Sequence, residues 1–143
     1  MTEFGKCDSS SSCQEEIHWA LNSSDRYLQS WAFGGEVTPV SLVPLARVYA
    51  RAIAGPPISM QYDATLRSFD LSYNIDISIN EPTEIFIPPL HYPNASYTVS
   101  LEGPLKWDVD PDDKNVILVT RTEQSTRNGN ANQIGTVYIK PNM

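Results

Sequence analysis

The residues able to do chemistry are few, and their spacing excludes more than it offers. His18 and His91 are the only histidines. They lie in separate segments with no cysteine or histidine at ligand spacing, so no metal site is expected. The acidic run Asp108-Val109-Asp110-Pro111-Asp112-Asp113 lacks the glycine and terminal glutamate of a calcium-binding loop and reads as a solvated turn. No serine or cysteine has an evident base partner for nucleophilic catalysis. No glycine-rich phosphate loop is present, and no cofactor is expected. Cys7 and Cys13 flank a polar, Ser-rich stretch. They admit a short-loop disulfide, favoured in an oxidising compartment, or two free thiols. Asn22-Ser23-Ser24 and Asn94-Ala95-Ser96 are N-glycosylation sequons. Trp107, between Lys106 and Asp108, could be a sugar platform but reads better as a packing residue.

The chain that must position these groups has 143 residues, enough for one ordinary domain. It is 41% hydrophobic and 19% charged, the balance of a folded protein. A net charge of -7 disfavours a phosphate backbone, so no nucleic-acid partner is expected. No apolar run approaches the roughly 20 residues that span a bilayer. Met1-Thr2-Glu3-Phe4-Gly5 lacks a basic region and an apolar core, so no signal peptide is expected on it.

Up to Gly55-Pro56-Pro57 the signals are helical. Ser12 and Glu15 can form a capping box for a helix over about 13–21, with Ile17, Ala20 and Leu21 on one face and Asn22-Ser23-Ser24-Asp25 ending it. Tyr27 to Phe33 reads as a short buried strand. Thr38 or Ser41 can cap a second helix that ends near Ile53, because Leu42, Leu45, Val48, Tyr49, Ala52 and Ile53 recur at three- and four-residue spacing. Gly55 and the prolines then stop it.

After Gly55 the period becomes two. Phe69, Leu71 and Tyr73 alternate with polar residues, as do Tyr97, Val99 and Leu101. Ile85 and Ile87 share a face, Val116 to Thr120 reads as a strand buried on both sides, and Thr136 to Ile139 closes the series. Turn signals separate these runs, among them Asp63-Ala64-Thr65, Gly103-Pro104 and Asn128-Gly129. The expected fold is mainly β: an antiparallel β-sandwich over 55–143, preceded by a helix-and-strand segment over 1–54.

Several local runs resemble endoglycoceramidase-like members of glycoside hydrolase family 5. Thr2-Glu3-Phe4-Gly5 resembles the end of the seventh strand of that family's (β/α)8 barrel, where T/S-E-F-G carries the catalytic nucleophile. Ser30-Trp31 resembles the eighth-strand motif, whose tryptophan floors the sugar site. Arg47 to Gly55 resembles the R-T-Y-x-x-A-I-A-G run leading out of the barrel. Thr83-Glu84-Ile85-Phe86-Ile87-Pro88 with His91-Tyr92-Pro93 resembles the T-E-I-F-I-P and H-Y-P core of the C-terminal domain. The four stand in the family's order. The resemblance implies that residues 1–54 are a remnant of the last barrel units. It implies a parent that removes glycans or glucose from ceramide with retention, Glu3 matching the nucleophile and Trp31 the sugar floor.

The departures are as informative. Retaining hydrolysis uses two carboxyl groups about 5–5.5 Å apart. The family's acid/base belongs to an Asn-Glu pair far upstream, and Asn80-Glu81 lies inside the β domain. A (β/α)8 barrel takes about 250 residues, so six of its eight strands have no counterpart here. Phe33-Gly34-Gly35 also follows Trp31 where the family carries a second tryptophan and a longer polar loop. The resemblance thus implies part of a glycosphingolipid-directed O-glycosyl hydrolase, inactive as an isolated fragment, while the cysteine pair and the two sequons lean toward a secreted or lysosomal parent. The alternative is a carbohydrate- or lipid-binding or scaffolding β-sandwich, presenting exposed aromatics near Trp107, Tyr92 and Tyr97.

Overall fold

A computed structural model describes residues 2–5, 11–123 and 133–142. Ten strands are formed among them: β1 (Thr2–Phe4), β2 (Trp31–Phe33), β3 (Tyr49–Ala52), β4 (Pro57–Asp63), β5 (Ser68–Asn74), β6 (Thr83–Phe86), β7 (Tyr97–Glu102), β8 (Leu105–Val109), β9 (Val116–Arg121) and β10 (Ile134–Pro141). Helix α1 (Ser11–Arg26) joins β1 to β2, and α2 (Pro39–Leu45) precedes β3.

Eight strands make an antiparallel β-sandwich. One sheet has the order β4-β5-β10-β7 and the other β3-β6-β9-β8. The period-two pattern places the core: Phe69, Leu71 and Tyr73 of β5 and Val137 and Ile139 of β10 face Ile85 of β6 and Ile117 and Val119 of β9. All of these are at most 2% exposed. On β7 the expected alternation of half-buried and exposed residues is present throughout. The chain changes sheets between β7 and β8 at Gly103, whose φ of +86° only glycine adopts without strain. The Asn128-Gly129 turn lies outside the described residues.

The helical expectations need correction. Helix α1 runs on through Asn22-Ser23-Ser24-Asp25, because Ser24 Oγ donates to the Ala20 carbonyl at 3.0 Å and Asp25 is held by Arg47. It starts at Ser11, so Ser12 sits inside the first turn and not before it. Thr38 does cap α2: its hydroxyl accepts from the Ser41 N–H at 3.2 Å while Ser41 Oγ accepts from the Thr38 N–H at 2.9 Å. That helix, however, ends at Leu45, far short of Ile53. The three-and-four spacing straddles two elements. Val48 enters the sandwich core, and Tyr49 and Ala50 pair with Phe86 and Ile85, so sheet pairing overrides the helical pattern. Strand β3, before the expected division at 54/55, is thereby hydrogen-bonded into the sandwich. The buried strand expected over Tyr27 to Phe33 is confined to Trp31–Phe33; Tyr27 is 68% exposed and Leu28 turns at φ +52°.

Candidate functional site

Strands β1 and β2 pair in parallel, with Thr2 opposite Trp31, Glu3 opposite Ala32 and Phe4 opposite Phe33. Parallel neighbours require a crossover, and α1 supplies it. Cys13, Ile17 and Leu21 of α1 form a small second core against Phe4, Trp31, Phe33 and Leu45. The Phe4 ring lies 6.0 Å from that of Trp31 and 5.6 Å from that of Phe33. Beyond the pair the backbones close on each other. The Gly34 N–H donates to the Phe4 carbonyl at 2.8 Å. A Cβ on Gly5 would stand 3.0 Å from Gly34 and Gly35 backbone atoms. Gly5 is therefore there for close backbone approach, whereas a Cβ on Gly34 would meet only the Phe4 carbonyl oxygen at an ordinary 3.8 Å.

This βαβ unit brings two predicted residues to adjacent strands: the backbone of Glu3 lies within β1, one position from the residue paired with Trp31. Trp31 is half-buried and also lines a cavity of about 470 Å³ between the α1–β2 connection and the edge of the sandwich, with Leu28, Ser30, Tyr49, Ile53 and Met60. Among the described residues before Gly55, Glu15, Glu16 and Glu36 are exposed, and Asp25 is tied to Arg47. The unit holds no described acid/base partner for a retaining reaction.

The junction to the sandwich is a polar cluster with no sequence signal. Arg47, 1% exposed and just ahead of β3, donates through Nη2 to Asp25 Oδ2 at 2.5 Å and Asn22 Oδ1 at 3.1 Å. Its guanidinium lies 5.1 Å from the centre of the Tyr62 ring on β4. Burial pushes the Asp25 carboxyl up to about 6 despite the opposing pull of Arg47. His91 Nε2 meets the Val43 carbonyl at 3.0 Å, joining the β6–β7 connection to α2. Burial, then Arg47 and His91, lower the pKa of His18.

The remaining predicted residues are scattered. Cys13 is buried and disulfide-bonded; Cys7 lies outside the described residues. Asn22 is exposed on α1, and Asn94 is exposed in a one-turn helix over Pro93–Ala95 at φ +54°. Asp110 and Asp113 accept from the Asp112 and Asn115 N–H groups, closing the acidic turn on itself. Trp107 is 41% exposed on the edge strand β8. Tyr92 corrects the exposed-aromatic expectation: it is 2% exposed, its hydroxyl donates to the Arg67 carbonyl, and its ring meets Tyr97 edge-on.

Residues 47–135 match the family model of the glycoside hydrolase family 5 C-terminal domain. None of the curated proteins matches the chain. Among solved structures, endo-glycoceramidase II from Rhodococcus sp. in its lactosyl-enzyme intermediate is similar over 100% of this chain and 33% of its own, with a TM-score of 0.72 and 19% identity. The same enzyme in complex with ganglioside GM3 gives a TM-score of 0.72 at 19% identity, over 99% of this chain and 31% of its own. Cryptococcus neoformans sterylglucosidase 1 has a TM-score of 0.74 and 15% identity, over 92% of this chain and 24% of its own. At these identities the likeness is one of fold. The chain spans about a third of endo-glycoceramidase II and about a quarter of the sterylglucosidase.

Proposed function

Because the chain belongs to the glycoside hydrolase family 5 C-terminal domain family, we propose that it is part of a retaining O-glycosyl hydrolase acting on glycosphingolipids. The observation that carries this reading is the parallel β1–α1–β2 unit standing ahead of the sandwich, with Glu3 on the first strand. Two parallel strands joined by a helix are the repeating unit of a (β/α)8 barrel. Residues 1–54 are read as its last units. Glu3 is read as the nucleophile of the whole enzyme and Trp31 as part of its sugar site.

In this chain alone the reading entails no turnover. Attack on the anomeric carbon needs a second carboxyl group to protonate the leaving oxygen and then activate water. None of the described residues of the unit offers one. A Cys7–Cys13 disulfide, glycans on Asn22 and Asn94 and a secreted or lysosomal parent belong to the same reading.

The test is hydrolysis of glucosylceramide and of a longer glycosphingolipid. The purified 143-residue chain is expected to be inactive. Turnover by it, lost in Glu3→Gln, would sink the view that half the catalytic pair is missing. An immunoblot of the native source with antibody to residues 58–143 should show a band far above 16.0 kDa; a single band at that mass would remove the larger enzyme from the account.

A further inference from the structure

The outer face of the β4-β5-β10-β7 sheet carries side chains that the catalytic reading does not use. Register places Gln61, Asp70, Tyr138 and Ser100 in one row across the four strands. The row beside it is Ser59, Ser72, Thr136 and Glu102. Tyr138, on β10, is 38% exposed. Ser68, Asp70, Ser100, Tyr138 and Lys140 line a shallow cavity of about 390 Å³ there. Helix α1 packs at the β4 edge of the sandwich.

Asp70 is the anomaly. It is half-buried, yet its side chain makes no hydrogen bond or ion pair among the described residues. Burial, and then the Glu102 charge, raise its pKa. A carboxylate that keeps part of its hydration beside a like charge has acceptor capacity left for the donors of a ligand. Register sets Asp70 directly opposite Tyr138 and Glu102 opposite Thr136, two positions along β10, and desolvation, then these two charges, raise the pKa of the Tyr138 hydroxyl.

We propose that this face is a binding platform for a neutral saccharide, with the Tyr138 ring as its stacking surface and Asp70 and Glu102 as acceptors for sugar hydroxyls. A pyranose has an apolar C–H face and a rim of hydroxyls. The apolar face lies on an aromatic ring, and vicinal hydroxyls donate to a carboxylate as paired charge-assisted bonds. Lys140, which also lines the cavity, is a donor without acceptor capacity. A ligand that donates to Asp70 and accepts from Lys140 needs both capacities, which a polyol has and an ammonium ion lacks. A metal ion is poorly served, since no group of three or more metal-ligating side chains occurs among the described residues. The proposal uses no residue before Gly55 and stands apart from the catalytic reading.

The test is a titration of the whole chain with cellobiose, lactose and maltose, followed by amide chemical-shift mapping. At least one sugar is expected to bind saturably, with shifts concentrated on residues 68–72, 98–102 and 136–140. Tyr138→Ala and Asp70→Asn are each expected to weaken binding about tenfold or more. Glu36→Gln, at an exposed position ahead of α2, is expected to bind as the wild type does. No saturable binding of any of the three sugars would overturn the proposal. So would shifts elsewhere in the wild-type protein, a reading that needs no variant to fold. Calcium binding without sugar binding, abolished in Asp70→Asn, would replace the platform with a cation site.

Discussion

Arg47 Nη2 stands 2.5 Å from Asp25 Oδ2, with side-chain exposures of 1% and 6%. This pair joins α1 to the residue that leads into β3, so it fixes how the helical unit sits on the sandwich. Arg47 Nε and Nη1 are buried without a hydrogen-bond partner among the described residues. Removing one member of a buried pair strands the other's charge, whereas an apolar replacement of both removes the desolvation cost as well. Asp25→Ala is therefore expected to destabilise the protein by about 3–5 kcal/mol in urea unfolding. The double change Asp25→Leu with Arg47→Met is expected to cost far less, or to stabilise. Equal losses in single and double variants would show that packing volume, not charge, matters here.

The same carboxyl sets a pH dependence. Its folded pKa of about 6 exceeds the ordinary value of 3.8, so the folded state takes up a proton more readily than the unfolded chain. The stability from Asp25 protonation is fully present below pH 3.8 and is lost as pH rises through about 6. His18 acts with opposite sign. Its pKa is lowered from 6.5, so its contribution is present above that pH and is lost as pH falls through the depressed value. Melting temperatures compared between pH 4 and 7 should show wild type losing ground to Asp25→Asn as pH rises. His18→Gln should lose less stability than wild type on acidification. A wild-type minus Asp25→Asn difference that is flat in pH would count against the raised carboxyl.

How much of this was legible in the sequence divides along the range of the forces involved. The alternation Phe69, Leu71, Tyr73 exposes its burial directly, because side chains on a strand change face at every residue. Thr38 as a cap and Gly103 as a turn are equally local. Glu3 and Trp31 stand out through their local runs, whereas the parallel pairing of their strands has no local mark. By contrast, Arg47 meets Asp25 across 22 positions and Asn22 across 25, and no spacing rule marks either contact. The stretch Leu42 to Ile53 carries a helical period that β3 ignores, because Tyr49 and Ala50 gain partners on β6. Tyr92, expected among the exposed aromatics, is buried instead, with its hydroxyl on Arg67, 25 positions away. The Asp70–Tyr138–Ser100 row depends on strand order, which a period of two does not encode.

The two sequons are expected to differ in use. Asn94 is exposed in a tight turn in the left-handed region, with Ser96 half-buried nearby. Asn22 lies inside α1, its side-chain oxygen accepts from Arg47, and Ser24 is 1% exposed with its hydroxyl committed to Ala20. In a secreted preparation, peptide mass spectrometry should find Asn94 glycosylated more completely than Asn22. A glycan chiefly on Asn22 would contradict that order.

Gly55 makes the strictest local demand. Its φ is +146°, and a Cβ there would lie 1.9 Å from the Asn74 carbonyl oxygen. The contact is part of the sandwich frame: Asn74 donates its N–H to the Pro56 carbonyl at 2.9 Å, and the Asp76 N–H reaches the Ala54 carbonyl at 3.1 Å. A side chain at 55 must therefore push the β3–β4 connection away from the end of β5. Gly55→Ala adds backbone strain of about 1–3 kcal/mol to that steric displacement. Since folded domains keep only about 5–15 kcal/mol in hand, the variant is expected to be visibly less stable in urea or thermal unfolding. Gly34→Ala is the contrast, because the nearest atom to its Cβ is the Phe4 carbonyl oxygen at 3.8 Å, an ordinary contact. It should change stability by no more than about 1 kcal/mol. Equal effects at the two positions would mean that the close approach at Gly55 relaxes freely.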